Sequence, residues 1–218
     1  MDADGVRVFM GAKKKEALEQ FNRENILSAA KELFEQKGVE KTTMDDIALH
    51  ADYSKSTIYV YFKSKEEIYN SIIQQYIGVL TGELAVCIET ASDFEDSYFR
   101  LCNCLAAFEE RYPGYYASFM LKQNRTGSRK KTDDAVIEET NDDVNKLIAQ
   151  LLEKGQEKKI LRDDLEIQPT VLYIWSAISG IIQVAEQKKD LIHRHFRMNK
   201  EEYLRYSFRT FYESLVKR

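Results

Sequence analysis

Apolar residues along this chain recur three and four positions apart, with polar residues filling the gaps. In KKKEALEQFNRENILSAAKELFEQKG, Ile26, Ala29, Ala30, Leu33 and Phe34 fall on one helix face. Gly38 then suits the left-handed position after the helix end. The residues before this stretch, MDADGVRVFMGA, lack the period and are expected to fray, with Met10 a second candidate start. TTMDDIALHA follows, with Thr43 as N-cap, Asp46 three residues later, and a short stripe of Ile47, Ala48 and Ala51. After a turn at Asp52–Tyr53, KSTIYVYF gives about two helical turns, too few to persist without tertiary packing. A long helix is predicted from Lys65, behind a Ser64 cap, to beyond Leu84.

The second half continues the pattern. Residues 93–111 are amphipathic and end before Pro113–Gly114; YYASFMLKQNR predicts a short helix, and TGSRKKTDD (126–134) a loop. A helix through VIEETNDDVNKLIAQLLEKG is expected to stop near Gly155. Pro169 suits a first helical turn, and Val171, Ile174, Trp175, Ile178, Ile181, Ile182 and Ala185 form the next stripe. The last helix, about 200–216, carries Leu204, Phe208, Phe211 and Leu215. Only 2 Pro and 9 Gly occur in 218 residues, too few turn-formers for a hairpin-rich sheet. The prediction is an all-α fold of about nine helices.

Composition narrows the class. A 44% hydrophobic and 31% charged chain with net charge −4 is globular and no generic polyanion binder. Charge is local, however. Residues 53–65 hold Lys55, Lys63 and Lys65 without an acid. No secretory core or run of 18 apolar residues is present, so a cytoplasmic protein with no membrane partner is expected. Cys87, Cys102 and Cys104 have no framework spacing, which fits a reducing compartment. GxGxxG, P-loop and HExxH patterns are missing. Cys102 and Cys104, like His193 and His195, lie two apart and point to different helix faces, and Asp190 with His193 gives only one partial di-iron motif. No enzyme, cofactor or metal site is therefore expected.

The chemistry concentrates in YSKSTIYVYFKSKEEIY (53–69). Ile58 and Phe62 lie four apart and face Ile47 and Ala48, which turns Lys55, Ser56, Tyr59, Val60 and Lys63 outward. Two short helices with such an outer face describe a helix-turn-helix whose second helix enters the DNA major groove. Small residues at 56 and 57 permit close approach to bases. Lys55 and Lys65 sit at helix starts, where the peptide dipoles favour an anion rather than a cation. Ser64 and Glu67 can close a capping box beside Lys65. Spacing alone is equally compatible with Tyr59 and Tyr61 as core aromatics and the lysines as a solvated rim.

TTMDDIALHADYSKSTIYVYFKSKEEIYNSII decides between these readings, because it resembles the DNA-binding signature of the tetracycline-repressor (TetR) family over about residues 25–73. The shared features are the Thr-Thr opening, Ile47-Ala48 with Ala51, Ser54-Lys55, Thr57-Ile58-Tyr59, Tyr61-Phe62 and Ser64-Lys65-Glu66. The resemblance implies phosphate contacts from Thr43, Tyr59 and Lys65, with Lys55, Ser56, Thr57 and Tyr61 in or beside the major groove. It also implies a DNA-binding domain over 1–76 and a helical ligand-binding and dimerisation domain over 77–218. The chain departs from the family pattern at Asp52-Tyr53, usually Gly-Val, and at Ser56, often Gly. Asp tolerates a left-handed turn, while Tyr53 must fill a gap or turn outward.

By the same resemblance, residues 170–188 and 201–215 of two chains form a four-helix dimer interface, with Ser176, Ala177, Ser179 and Gly180 allowing close approach. Tyr112, Tyr115, Tyr116, Phe119 and Trp175 are the candidate lining of a pocket for an apolar or aromatic effector. Lys13-Lys14-Lys15 is a candidate DNA arm. The expected function is a ligand-responsive homodimeric repressor on a palindromic operator. The alternative is a ligand-independent helix-turn-helix protein for nucleoid organisation or partner recruitment.

Overall fold

A computed structural model describes residues 3–117 and 133–217, with side chains over 13–117 and 143–217. The described residues are helical, without strands; one isolated bridge joins Leu161 and Val216. The helices are α1 (Ala3–Lys37), α2 (Met44–His50), α3 (Lys55–Tyr61), α4 (Lys65–Glu89), α5 (Phe94–Arg111), α6 (Asp133–Glu157), α7 (Ile167–Gln187), α8 (Lys189–Phe196) and α9 (Lys200–Leu215). Residues 113–117 are also helical. The chain forms two compact units, Met1–Gln75 and Tyr76–Arg218.

In the first unit, α1 buries Ile26, Leu27, Ala29, Ala30, Leu33 and Phe34, the face its periodicity marks. Gly38 takes φ +83° and donates its N–H to Phe34 O at 3.0 Å, a left-handed C-cap. The expectation of a frayed start is corrected: the helix begins at Ala3, without an apolar period to signal it. α2 packs against both α1 and α3, and Ile47 and Ala48 of α2, Ile58 of α3, Phe62, and Ile68 and Ile72 of α4 are buried in the same unit. Ala51 is only half-buried.

In the second unit, α4 continues with Ile77, Leu80, Leu84 and Ile88 buried at helical spacing. α5 is capped by Asp93, whose carboxylate accepts from Asp96 N at 2.9 Å. α7 turns Val171, Ile174, Trp175, Ile178, Ile182 and Ala185 inward, and α9 does the same with Leu204, Phe208, Phe211 and Leu215. The apolar stripes read from the sequence are thus core of this unit. A different face of α7 lies at the surface, with Leu172 63% exposed and Tyr173, Ser176, Gly180 and Val184 beside it. α4 and α7 are long and apolar enough by composition to cross a membrane, a test that core helices also pass.

One helix of this unit has no signal in the apolar pattern, and one glycine does more than the pattern shows. α8 has one buried residue, Ile192, so its apolar pattern is too thin to be read from sequence. α6 ends at Glu157, two residues beyond Gly155 and so near the expected stop, and the glycine also lets the helix approach other chain segments. A Cβ at 155 would meet Phe94 Cε2 at 2.6 Å and the Leu161 side chain at 3.0 Å. Helix propensity alone favours Gly155→Ala by about 1 kcal/mol. Overpacking, at about 1–3 kcal/mol, opposes it and is expected to win. Urea denaturation of the variant should give a lower midpoint with an unchanged m-value.

Candidate nucleic-acid interface

The first helix of the motif is fixed by a closed capping box. Thr43 Oγ1 accepts from Asp46 N at 3.1 Å, and the Asp46 carboxylate accepts from Thr43 N at 2.8 Å. Lys37 Nζ sits 2.7 Å from the same carboxylate. That ion pair and the Thr43 hydroxyl and amide hold the Asp46 carboxyl down at about 2. α2 ends in a left-handed turn at Asp52, φ +57°. Tyr53 N donates to Ala48 O at 2.9 Å and Asp52 N to Leu49 O at 3.3 Å, the paired bonds of a Schellman motif. Asp therefore serves where glycine is the usual residue.

α3 begins at the Ser54 cap, whose Oγ accepts from Thr57 N at 3.1 Å. The Ser56 and Thr57 hydroxyls lie 2.8 and 2.7 Å from the same oxygen. Three hydroxyls thus cluster at one helix start. Ile58 is fully buried, while Tyr59 is 47% exposed and Val60 77% exposed. The outer face of α3 carries Lys55, Ser56, Tyr59 and Val60, as periodicity requires.

Asn22 and Arg23 of α1, which no motif singles out, hold this helix. Asn22 of α1 donates from Nδ2 to Tyr61 Oη at 2.8 Å, and its Oδ1 accepts from Tyr53 Oη at 2.8 Å. One amide therefore joins Tyr53, just before α3, to Tyr61, its last residue. Arg23 Nη1 donates to Tyr61 O at 2.7 Å, and its guanidinium lies 4.2 Å from the Phe62 ring centre. Tyr53 turns inward onto α1, where its hydroxyl finds a partner. A tyrosine in place of the family's valine was the one local signal that such a partner had to exist.

The lysines also have protein partners. Lys55 Nζ lies 2.7 Å from Asp45 Oδ1, so the start of α3 is tied to the first turn of α2. Lys65 Nζ donates to Val39 O at 2.7 Å, Glu40 O at 3.4 Å and Thr42 O at 2.9 Å. All three ammonium donors are directed at the turn between α1 and α2. Ser64 caps α4 through Glu67 N at 3.2 Å, but the Glu67 carboxylate accepts from Lys63 N at 2.6 Å instead of closing a box on Ser64.

The expected ligand-lining residues lie in the second unit. Tyr115, Tyr116 and Trp175 are buried, and Tyr112 is half-buried. Tyr76 stacks between Tyr112 and Tyr115, with ring centres 4.3 and 4.4 Å away. Tyr116 Oη donates to Ser179 Oγ at 3.2 Å, and Trp175 Nε1 to Asn145 Oδ1 at 2.7 Å. Burial pushes the Tyr116 phenol up to about 12. Phe119 lies outside the described residues, as do most of the predicted 126–134 loop and the end of the predicted 115–125 helix.

Two short helices meeting at a tight turn, the second with an exposed polar and aromatic face, define a helix-turn-helix DNA-binding protein. Residues 26–72 match the family model described as bacterial regulatory proteins, tetR family. The biofilm operon icaADBC negative transcriptional regulator IcaR of Staphylococcus aureus is 26% identical over 149 residues, covering 60% of this chain and 80% of that one. The uncharacterised HTH-type regulator YhgD of Bacillus subtilis is 31% identical over 87 residues, 40% of this chain and 46% of that one. A putative tetR family regulator from Shewanella sp. PV-4 shares the fold, with a TM-score of 0.65 at 17% identity over 90% of this chain and 99% of that one. The chain belongs to the TetR family of bacterial transcriptional regulators.

The Lys65 geometry has a measurable consequence for stability. Lys65→Met leaves a chain of similar length and removes the donor shared by three carbonyls. Hydrogen bonds to a charged group contribute about 1.5–3 kcal/mol. Partial exposure keeps this one near the lower figure. Chemical denaturation should show a loss of about 1–2 kcal/mol, larger than for Lys63→Met, whose side chain is exposed.

Proposed function

We propose that the protein is a homodimeric, ligand-responsive repressor that binds a palindromic operator in the cytoplasm. The observation that carries the DNA-binding part is the α2–α3 pair, with α3 held at both ends through Asn22 and its outer face exposed. Ser56, Thr57 and Lys55 enter the major groove beside Tyr61, while Thr43 and Tyr59 meet phosphates. Lys65 serves the same surface by fixing the turn that presents Thr43, with its charge near the backbone. Lys55 exchanges Asp45 for phosphate on binding. The domain division follows the family, with DNA recognition in 1–76 and effector binding and dimerisation in 77–218.

Dimerisation is supported by the outward face of α7. Leu172 and Val184 flank Ser176 and Gly180, so apolar ends bracket a small-residue centre where a partner helix can approach. Tyr206 of α9 is also exposed. The S. aureus relative is a negative regulator by name, which supports repression. An effector acts by binding one conformation more tightly, and operator DNA then weakens effector binding to the same degree.

The ligand-independent alternative has one observation in its favour. Trp175 and Tyr116 direct their polar atoms to Asn145 and Ser179, so these aromatics have roles as core. A thermal-shift screen with aromatic and apolar compounds separates the readings, because a ligand that binds only the native state raises its melting temperature.

Selection of duplexes from a random pool tests the operator proposal. An inverted repeat with half-sites one helical turn or a multiple apart is the expected product. Recovery of a single unrepeated half-site overturns the homodimer. Asp45→Asn tests the Lys55 exchange. It removes an acid from the binding surface, so affinity for any duplex should rise several-fold, and the log–log salt slope should steepen by up to about one. Unchanged affinity would place Lys55 outside the contact surface.

A further inference from the structure

α4 and α5 run antiparallel where they meet, and their side-chain contacts fix the register. Arg111 Nη1 donates to Glu83 Oε1 at 2.9 Å, the Cys104 thiol to Glu83 Oε2 at 3.8 Å, and Arg100 Nη1 to Thr90 Oγ1 at 3.1 Å. Moving from Glu83 along α4 to Thr90, just past its end, therefore matches moving from Arg111 to Arg100 on α5. Cys87 lies four residues beyond Glu83, on the same side of α4. Cys104 lies between Arg100 and Arg111. The register sets the two cysteines opposite one another, with the Cys87 side chain beside that of Cys104. Both are free and half-buried, whereas Cys102 is fully buried on another side of α5.

We propose that Cys87 and Cys104 are a reversible disulfide-forming pair, a modification site that joins α4 to α5 on exposure to a peroxide. The Cys87 sulfur attacks one oxygen of hydrogen peroxide. The O–O bond breaks, Cys87 becomes a sulfenic acid, and the departing hydroxide takes a proton to become water. The Cys104 sulfur then attacks the sulfenic sulfur; the S–S bond forms, the S–O bond breaks, and the thiol proton leaves with the hydroxyl as a second water. Two thiols lose two electrons and one peroxide gains them. Reduction by an external dithiol restores both cysteines.

The surroundings assign the order of these steps. Burial, with the Cys87 and Glu83 side chains alongside, pushes the Cys104 thiol up to about 12, so it is held as a thiol at neutral pH. Glu83, itself held ionised by Arg111, accepts the Cys104 hydrogen and keeps that sulfur in place. The first attack therefore falls to Cys87. Cys102 shares neither neighbour; burial raises its thiol strongly, and it lies against Tyr98.

The site stands whether or not an effector exists, and its test does not involve DNA. The full chain is treated with a small excess of hydrogen peroxide, its thiols are counted, and its peptides are mapped by mass spectrometry. Two of the three thiols should disappear, with a Cys87–Cys104 linked peptide that dithiothreitol removes. Cys102→Ala should still form the link. Cys104→Ser should leave a sulfenic acid at Cys87 that dimedone traps. A link through Cys102, a link between two chains, or a peroxide-treated wild type that keeps all three thiols would each overturn the proposal.

Discussion

A recognition helix of seven residues with one fully buried side chain cannot define its own direction. The Asn22 amide supplies what α3 lacks, because it bonds the hydroxyls of Tyr53 and Tyr61 at the two ends of that helix. Its two ends are thereby referred to one rigid point on α1. Arg23 strengthens the C-terminal end through the Tyr61 carbonyl and the Phe62 ring. The rest of the first unit follows from this constraint. Once α3 is oriented, the left-handed turn at Asp52 fixes α2, and the capping box at Thr43 fixes where α2 begins.

The parts legible from sequence are those whose cause is local. Thr43 and Asp46 are three residues apart, Gly38 follows a stripe, and Asp52 is one of the few residues that tolerates positive φ; each signal lies within one turn of its effect. Asn22 acts across 39 positions to Tyr61, and Lys65 across 23 to 26 positions to its carbonyls. Nothing in the spacing of such residues announces the partner. Lysine at a helix start reads as a request for an external anion, yet backbone carbonyls meet the same electrostatic demand from inside the molecule. Gly155, two residues before the end of α6, is legible only in part for a related reason. A glycine in a helical pattern can mark an end or a close approach, and only the Phe94 and Leu161 side chains decide which.

Periodicity has a further limit in the second unit. The stripes of α7 and α9 were legible as apolar faces, but an apolar face can complete a monomer or meet a partner. Here the longer stripe is core, and the surface is a mixed row of Leu172, Ser176, Gly180 and Val184 that no hydrophobicity pattern isolates. Aromatic residues divide similarly. Tyr116 and Trp175 are candidate ligand contacts by composition, and in the structure they also bond Ser179 and Asn145 inside the unit. Exposed small residues and satisfied buried aromatics are properties of the three-dimensional partner list, which one chain's sequence does not contain.

The balance of charge at the DNA-binding surface follows from the same partner list. Net charge −4 places no long-range pull on a polyanion, so attraction must come from a few nearby cations. Of these, Lys37 faces Asp46, Lys55 faces Asp45 and Lys65 faces three carbonyls. Phosphate can recruit Lys55 only by displacing a carboxylate, and the freed Asp45 remains close enough to oppose it. Counterion release then yields less than a count of lysines implies, because each exchange replaces one protein anion as well as solvent ions. In the proposed complex, affinity leans on groups without an ionic partner, the exposed Tyr59 face and the hydroxyl cluster at the start of α3. On that reading recognition shifts from charge toward geometry, and the half-buried Asn22 amide, which orients α3, contributes to it without carrying any charge.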